Sequence, residues 1–342
     1  MKKQLILLAA CVLAGAAAAD ATCWRINPSP FAKAQFKTVA EAMADINVLP
    51  GDTLLLDPGN HGTIDVRSRD NMTIIGTGYF LDKNKKWAES QSAVVSVAYL
   101  SKGSKIEGCD ANSIQFIGDA TVSRCKINDI SGGGENNLVT QCYIASTLSL
   151  PSNSVARDNI ILYCVSGDSG CIFENNIVVS SGNDYYHSSN YLITSFKNST
   201  IRNNILINTH EGFDSNQVPK SCVIYNDCTN NVIQNNVLSV AERYIDTNDM
   251  FKDYPNNYYV GATVANTFVN EGSDDGKWQL LSTSAAKGAA THGGDCGAFG
   301  GATPYVLSGI PMFLPHITEA LVPVKPTDGK ITVKLKIENQ NE

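Results

Sequence analysis

Ile106-Glu107-Gly108-Cys109, Val122-Ser123-Arg124-Cys125 and Val139-Thr140-Gln141-Cys142 are copies of one four-residue phrase. Val155-Ala156-Arg157-Asp158, Ile172-Phe173-Glu174-Asn175, Ile201-Arg202-Asn203 and Ile233-Gln234-Asn235 continue it. In most copies an Ile or Val follows two residues later: Ile127, Ile144, Ile160, Ile177, Ile205 and Val237. Counted on residues 109, 125, 142, 158, 175, 203 and 235, the steps are 16, 17, 16, 17, 28 and 32 residues. A step of 16 or 17 is too short for a helix pair and far below the roughly 40 to 50 residues of a propeller blade. It suits one turn of a coil of short strands, each coil stacked on the last at about 4.8 Å. Equivalent positions then form ladders. The cysteines read as small buried thiols, and the asparagines as inward amides that hydrogen-bond one coil away. The phrase predicts a right-handed parallel β-helix.

Outward from this core, Thr38-Val39-Ala40-Glu41 is a capping box, with Val39, Met43 and Ile46 on one helical stripe. A short helix ending near Pro50-Gly51, then an apolar run before Asp57-Pro58-Gly59, predicts a cap on one end of the stack. At the other end, residues after Gly276 read as the final coil and its closure. Ile331, Val333, Leu335 and Ile337 alternate with polar residues, a half-buried strand whose hairpin partner is Leu321-Val322-Pro323-Val324. The plan is a signal peptide at 1–21, a capped β-helix at 22–302 and a tail with a β-hairpin at 303–342.

Met1-Lys2-Lys3, an apolar run to Ala19, then small residues have the layout of a secretory signal. A second reading takes Cys11 as a lipidated N-terminus. The protein is expected to be secreted, periplasmic or on the outer cell surface, with no integral membrane span. A formal net charge of −7 argues against nucleic acid as a partner. Losing Cys11 with the signal leaves nine of the ten cysteines. Cys109, Cys125 and Cys142 read as buried free thiols, because parallel side chains point alike and do not face each other. Cys164–Cys171 and Cys222–Cys228 are the pairs best placed to bridge.

With Phe36-Lys37-Thr38-Val39 and Pro50-Gly51-Asp52-Thr53 at the front, the sequence resembles the pectin-lyase-like β-helix superfamily, and within it uncharacterised exported proteins of Gram-negative bacteria. Asp274-Asp275-Gly276-Lys277-Trp278-Gln279-Leu280, Asp295-Cys296-Gly297-Ala298-Phe299-Gly300-Gly301 and Pro304-Tyr305-Val306-Leu307-Ser308-Gly309-Ile310-Pro311 carry the resemblance at the back. It implies the architecture. It does not fix an activity, since the superfamily holds lyases, hydrolases, esterases and inactive binders.

No grouped aspartates of the hydrolase type stand out, and Thr291-His292-Gly293-Gly294-Asp295 reads as lying away from the coils. No cofactor signature is present. Calcium is the ion that the aspartate turns Asp246-Thr247-Asn248-Asp249 and Asp274-Asp275-Gly276 could take, against the commoner reading as plain turns. Arg124, Arg157 and Arg202 share one repeat phase, where Glu107, Gln141, Glu174 and Gln234 make a solvated mixed face the better reading. The irregular steps are more informative. Subtracting 17 from 28 and 32 leaves insertions of 11 and 15 residues, near 182–192 and 210–224, and a third irregular stretch spans 242–258. Loops leaving equivalent points of successive coils cluster on one side. They bring Tyr185, Tyr186, His187, Tyr191, Glu211, Phe213, Tyr244 and Asp246, which suit sugar rings, with His210, Asp214 and Arg243 as catalytic candidates. The expectation is a protein that binds, and as a lyase or glycoside hydrolase would process, polysaccharide on this loop-walled face. The rival is a non-catalytic structural or adhesion module contacting another protein.

Overall fold

The computed structural model describes residues 21–84, 91–180, 191–209, 223–224, 228–239, 257, 261–311, 316–326 and 328–338. Of the expected signal peptide at 1–21, all but Ala21 lies outside them. The chain coils into two long sheets. One has ten parallel strands, from Cys23–Ile26 and Thr53–Leu56 through Leu138–Thr140 and Val155–Arg157 to Val232–Gln234. The other has thirteen strands. Ala93–Leu100, Asp110–Phe116 and Lys126–Gly132 run through it unbroken. In later coils each is split into two halves: Tyr143–Ile144 then Thr147–Leu150, Ile160–Ile161 then Cys164–Gly167, and Ile177–Ser180 then Ile193–Thr194. All pairings in both sheets are parallel, and one residue in two points into the coil, where Ile74, Ile106, Val122, Val139, Phe173 and Ile201 are buried. This is a parallel β-helix.

The ladder predicted from the sequence exists, but it is two ladders one residue apart. Cys109, Cys125 and Cys142 belong to an inner column that continues as Asn159, Asn176, Asn204 and Asn236. The backbone N–H of Cys142 donates to Asn159 Oδ1 at 2.9 Å, that of Asn159 to Asn176 Oδ1 at 3.1 Å, and that of Asn176 to Asn204 Oδ1 at 2.8 Å. Each Nδ2 turns to a carbonyl, as from Asn176 to Ala156 O at 3.0 Å. Every polar atom of the stack is thus used, each bond worth about 1 kcal/mol net. Asp158, Asn175, Asn203 and Asn235 form the outer column, at left-handed φ of 58°, 54°, 57° and 54°. Asn and Asp tolerate that region best, which is why they recur there. Where the sequence reads Asn-Asn, both slots hold one residue type, so a slip from Cys142 to Asp158 left no trace in the pattern. The asparagines nevertheless stack as expected: Asn203 Nδ2 reaches Asn175 Oδ1 at 3.4 Å. The eight described cysteines are free, so Cys164 and Cys171 are not bridged; Cys222 lies outside the described residues.

The outer column is the seat of a strap. Residues after Gly276 do not add a coil; they turn back and run along the stack towards its N-terminal end. Asn235 donates to Ala289 O, Asn203 Oδ1 accepts from Thr291 N, and Asn175 donates to Asp295 O at 3.1, 3.0 and 3.5 Å. Further along, Asp158 Oδ2 accepts from Thr303 Oγ1, Gln141 donates to Pro304 O and Arg124 donates to Ile310 O at 2.9, 2.6 and 3.0 Å. The segment Thr291-His292-Gly293-Gly294-Asp295 therefore lies against the coils, not away from them. The strap continues through residue 303 to Pro311, whose ring meets Gly108. Its apolar side builds a second core outside the coil, with Tyr143, Ile160, Ile177, Ile205 and Val237 of the sheet against Phe268, Trp278, Ala298 and Tyr305. Asp275 locks it: Oδ1 accepts from Asn84 and Ser273, both at 2.8 Å, and Oδ2 accepts from Ser308 N at 2.8 Å. That carboxylate of the Asp274-Asp275-Gly276 turn is in structural use.

The N-terminal helix is Val39–Ala44, capped by Thr38, whose side chain accepts from Glu41 N. Val39 and Ala42 face the core, but Ile46 of the expected stripe is 82% exposed because the helix has ended. The C-terminal hairpin pairs His316–Leu321 with Lys334–Glu338, so the partner strand lies earlier than 321–324. Ile317, Leu335 and Ile337 share one face and are exposed, so this strand is not half-buried. Among the described residues no helix is long and apolar enough to cross a membrane.

Candidate functional site

The insertions leave at one corner of the stack, between the two halves of the split sheet. Their roots are in register: Ser180 pairs with Asn208, and Asn208 N donates to Ser239 Oγ at 3.0 Å. The prediction that long loops depart from equivalent points therefore holds at their roots. Of the residues proposed there, Tyr191 is described and is half-buried. Tyr185, Tyr186, His187, His210, Glu211, Phe213, Asp214, Arg243, Tyr244 and Asp246 lie outside the described residues.

On one side of this corner is the sheet half that the strap covers. On the other is the second half, whose outward side chains form an open shelf. In one column Thr63, Val97, Ser113 and Asp129 are consecutive partners, followed by Thr147 and Cys164. In the next, Asp65, Tyr99, Gln115 and Ser131 are partners, followed by Ser149, Ser166 and Thr194. The intervening Ala98, Ile114, Ile130, Leu148 and Val165 point inward and are fully buried. This strict alternation places a hydroxyl, amide or carboxyl at each strand spacing along the stack.

The shelf is ordered by its own bonds. Asp129 Oδ1 accepts from Thr147 Oγ1 at 2.9 Å, and Ser166 Oγ donates to Ser149 Oγ at 3.1 Å. At the N-terminal end the Arg67 guanidinium lies 4.4 Å from the centre of the Tyr99 ring and 2.6 Å from Asp65. Arg67 thereby holds the Asp65 carboxyl below the usual carboxylate range. Off the shelf, in the column that continues as Tyr143 and Ile160 beneath the strap, Lys126 bonds both oxygens of Asp110 at 2.9 Å. Chemically this surface offers hydrogen-bonding groups at regular spacing and one aromatic ring backed by a cation. Sequence reasoning did not single out these residues. The alternation in Thr147-Leu148-Ser149-Leu150, against the unbroken apolar run Ile177-Val178-Val179, is the signal that could have found them.

The arginines of the opposite sheet do not make a positive stripe. Arg124 is in the left-handed column, buried under the strap, with Nε donating to Gln141 Oε1 at 2.8 Å. Arg157 and Arg202 flank Glu174 in the register, and Arg202 pairs with it at 2.7 Å. The mixed face holds for these two. Asp158, beneath Thr303, has Oδ1 buried without a partner, and burial pushes its pKa up to about 7. Among the described residues no group of three or more His, Cys, Asp or Glu is placed to hold a metal ion.

No protein-family model matches this chain, and no curated protein does. Among solved structures, a mutant of AlyGC, an alginate lyase of the PL6 family, aligns with 58% of this chain and 50% of its own at 11% identity and a TM-score of 0.20. The chain thus spans half the length of that neighbour, and a superposition this slight carries no argument about substrate.

Proposed function

We propose that this protein works in the cell envelope or outside the cell and binds polysaccharide across the open shelf of the split sheet. The observation that supports this is the repeated outward row Gln115, Ser131, Ser149, Ser166 and Thr194, with the Arg67-backed Tyr99 ring at its end. A polymer with regularly spaced hydroxyl groups meets equivalent donors and acceptors at every coil, and a sugar face can lie on Tyr99. The insertions rooted at the edge contribute further groups: by sequence, residues 181–192, 210–227 and 240–260 hold eight of the thirteen tyrosines. We assign no catalytic residue on the shelf, where Asp65 is held ionised and Asp129 is engaged by Thr147. A lyase or hydrolase activity would fall to His210, Asp214 and Arg243.

The test is affinity electrophoresis of the full chain in gels cast with soluble polysaccharides. Retardation that Tyr99→Ala reduces at unchanged melting temperature is the expected result; equal retardation of the variant would remove the shelf from the site. The reading as an adhesion module draws on a different observation, the exposed apolar face of the hairpin at Ile317, Leu335 and Ile337. Truncation after Pro311 separates the two, because glycan binding on the shelf survives it.

A further inference from the structure

We infer that the polysaccharide bound on this shelf lacks carboxylate and sulfate groups, being a neutral or amino-sugar polymer. The inference rests on the glycan-binding reading above and adds the charge of the ligand.

An anionic polymer presents a charge every sugar or two, and proteins hold such chains with Arg or Lys free to form charge-assisted hydrogen bonds. On the shelf the cation among the described residues already has a partner. Arg67 bonds Asp65 through Nε at 2.9 Å and Nη2 at 2.6 Å, with its face on Tyr99. Asp129 adds a carboxylate whose Oδ2 accepts from Asn128 and whose Oδ1 accepts from Thr147. One cation thus stands against Asp65 and Asp129.

By sequence, the insertions have the same sign. The segments that leave from Ser180, Asn208 and Ser239 carry Asp184, Glu211, Asp214, Asp227, Glu242, Asp246, Asp249 and Asp253 against Lys220, Arg243 and Lys252. That is a net −5 out of the chain's −7, tethered to one corner. A uronate or sulfate chain would meet the Asp129 carboxylate and find Arg67 already held by Asp65. A neutral chain meets hydroxyl, amide and carboxylate acceptors at no such cost, and an amino-sugar chain is attracted.

Titration of the full chain by isothermal calorimetry against a β-glucan, a galactomannan, chitosan oligomers, polygalacturonate, alginate and a sulfated glycan tests this, in 20 mM and 300 mM NaCl, with and without calcium. At least one neutral or amino-sugar polymer is expected to bind at least 10-fold tighter than every anionic one. The gap should narrow in 300 mM salt and in the Asp65→Asn/Asp129→Asn variant. Tighter binding of any anionic polymer, with calcium or without, overturns the inference and leaves the glycan reading standing. Failure of all six to bind overturns the glycan reading itself.

Discussion

The two halves of the split sheet are made by the same coils and differ in what their outward side chains meet. In the first half Ile160, Ile177, Ile205 and Val237 point away from the coil yet are fully buried, because the strap lies on them. In the second half Ser131, Ser149, Ser166 and Thr194 occupy equivalent outward positions and are half-buried only by their neighbours. In the split sheet a column of outward isoleucines marks the face the chain closes for itself, and a row of outward hydroxyls marks the face left for solvent and ligands. Gly297 shows how close the strap comes: a Cβ there would stand 2.7 Å from Ile205 Cδ1.

Substitutions of opposite kind on the two faces break or sharpen this contrast. Ile205→Asp places a carboxylate between sheet and strap and should cost about 4 kcal/mol or more in urea denaturation, whereas Ser149→Asp should change stability by about 0.5 kcal/mol or less. Equal effects would mean that the strap is not seated. Next in size is the inner ladder that leads into the covered half. Asn176→Ala removes the acceptor for the N–H and Nδ2 of Asn159 and should cost about 3 kcal/mol. Cys125→Ala, one methyl-sized change in the apolar part of the same column, should cost about 1 kcal/mol.

The strap can also be separated by pH. Folded Asp158 keeps its proton to about pH 7, while an unfolded chain releases it near 3.8. Its contribution is therefore complete below about pH 4, declines as pH rises and is gone above about 7. The melting temperature of the wild type relative to Asp158→Asn should fall between pH 5 and pH 8; a constant difference would show that the carboxyl is not buried under Thr303.

Much of the architecture was legible in the sequence because burial leaves periodic marks. The 16 or 17 residue step, the capping Thr38 and the roots of the insertions were all read correctly. The register of the ladder was legible only where Cys and Arg differ, in Arg124-Cys125, and was lost where Asn175-Asn176 and Asn203-Asn204 offer identical neighbours. The strap was missed because it has little regular structure of its own: Gly297, Gly301 and Gly309 fit it to the coils by close approach, which leaves no periodic pattern. The shelf was overlooked for the opposite reason. Its serines and threonines look like any solvated strand face until the neighbouring half is seen to be covered.

Hydrogen–deuterium exchange with and without a bound polysaccharide tests the central claim most directly. The account predicts slowed exchange in Ala93–Leu100, Lys126–Gly132, Thr147–Leu150 and Cys164–Gly167, and none in Val155–Arg157 or Ile172–Glu174 on the opposite sheet. Protection confined to the opposite sheet or to the hairpin would contradict it.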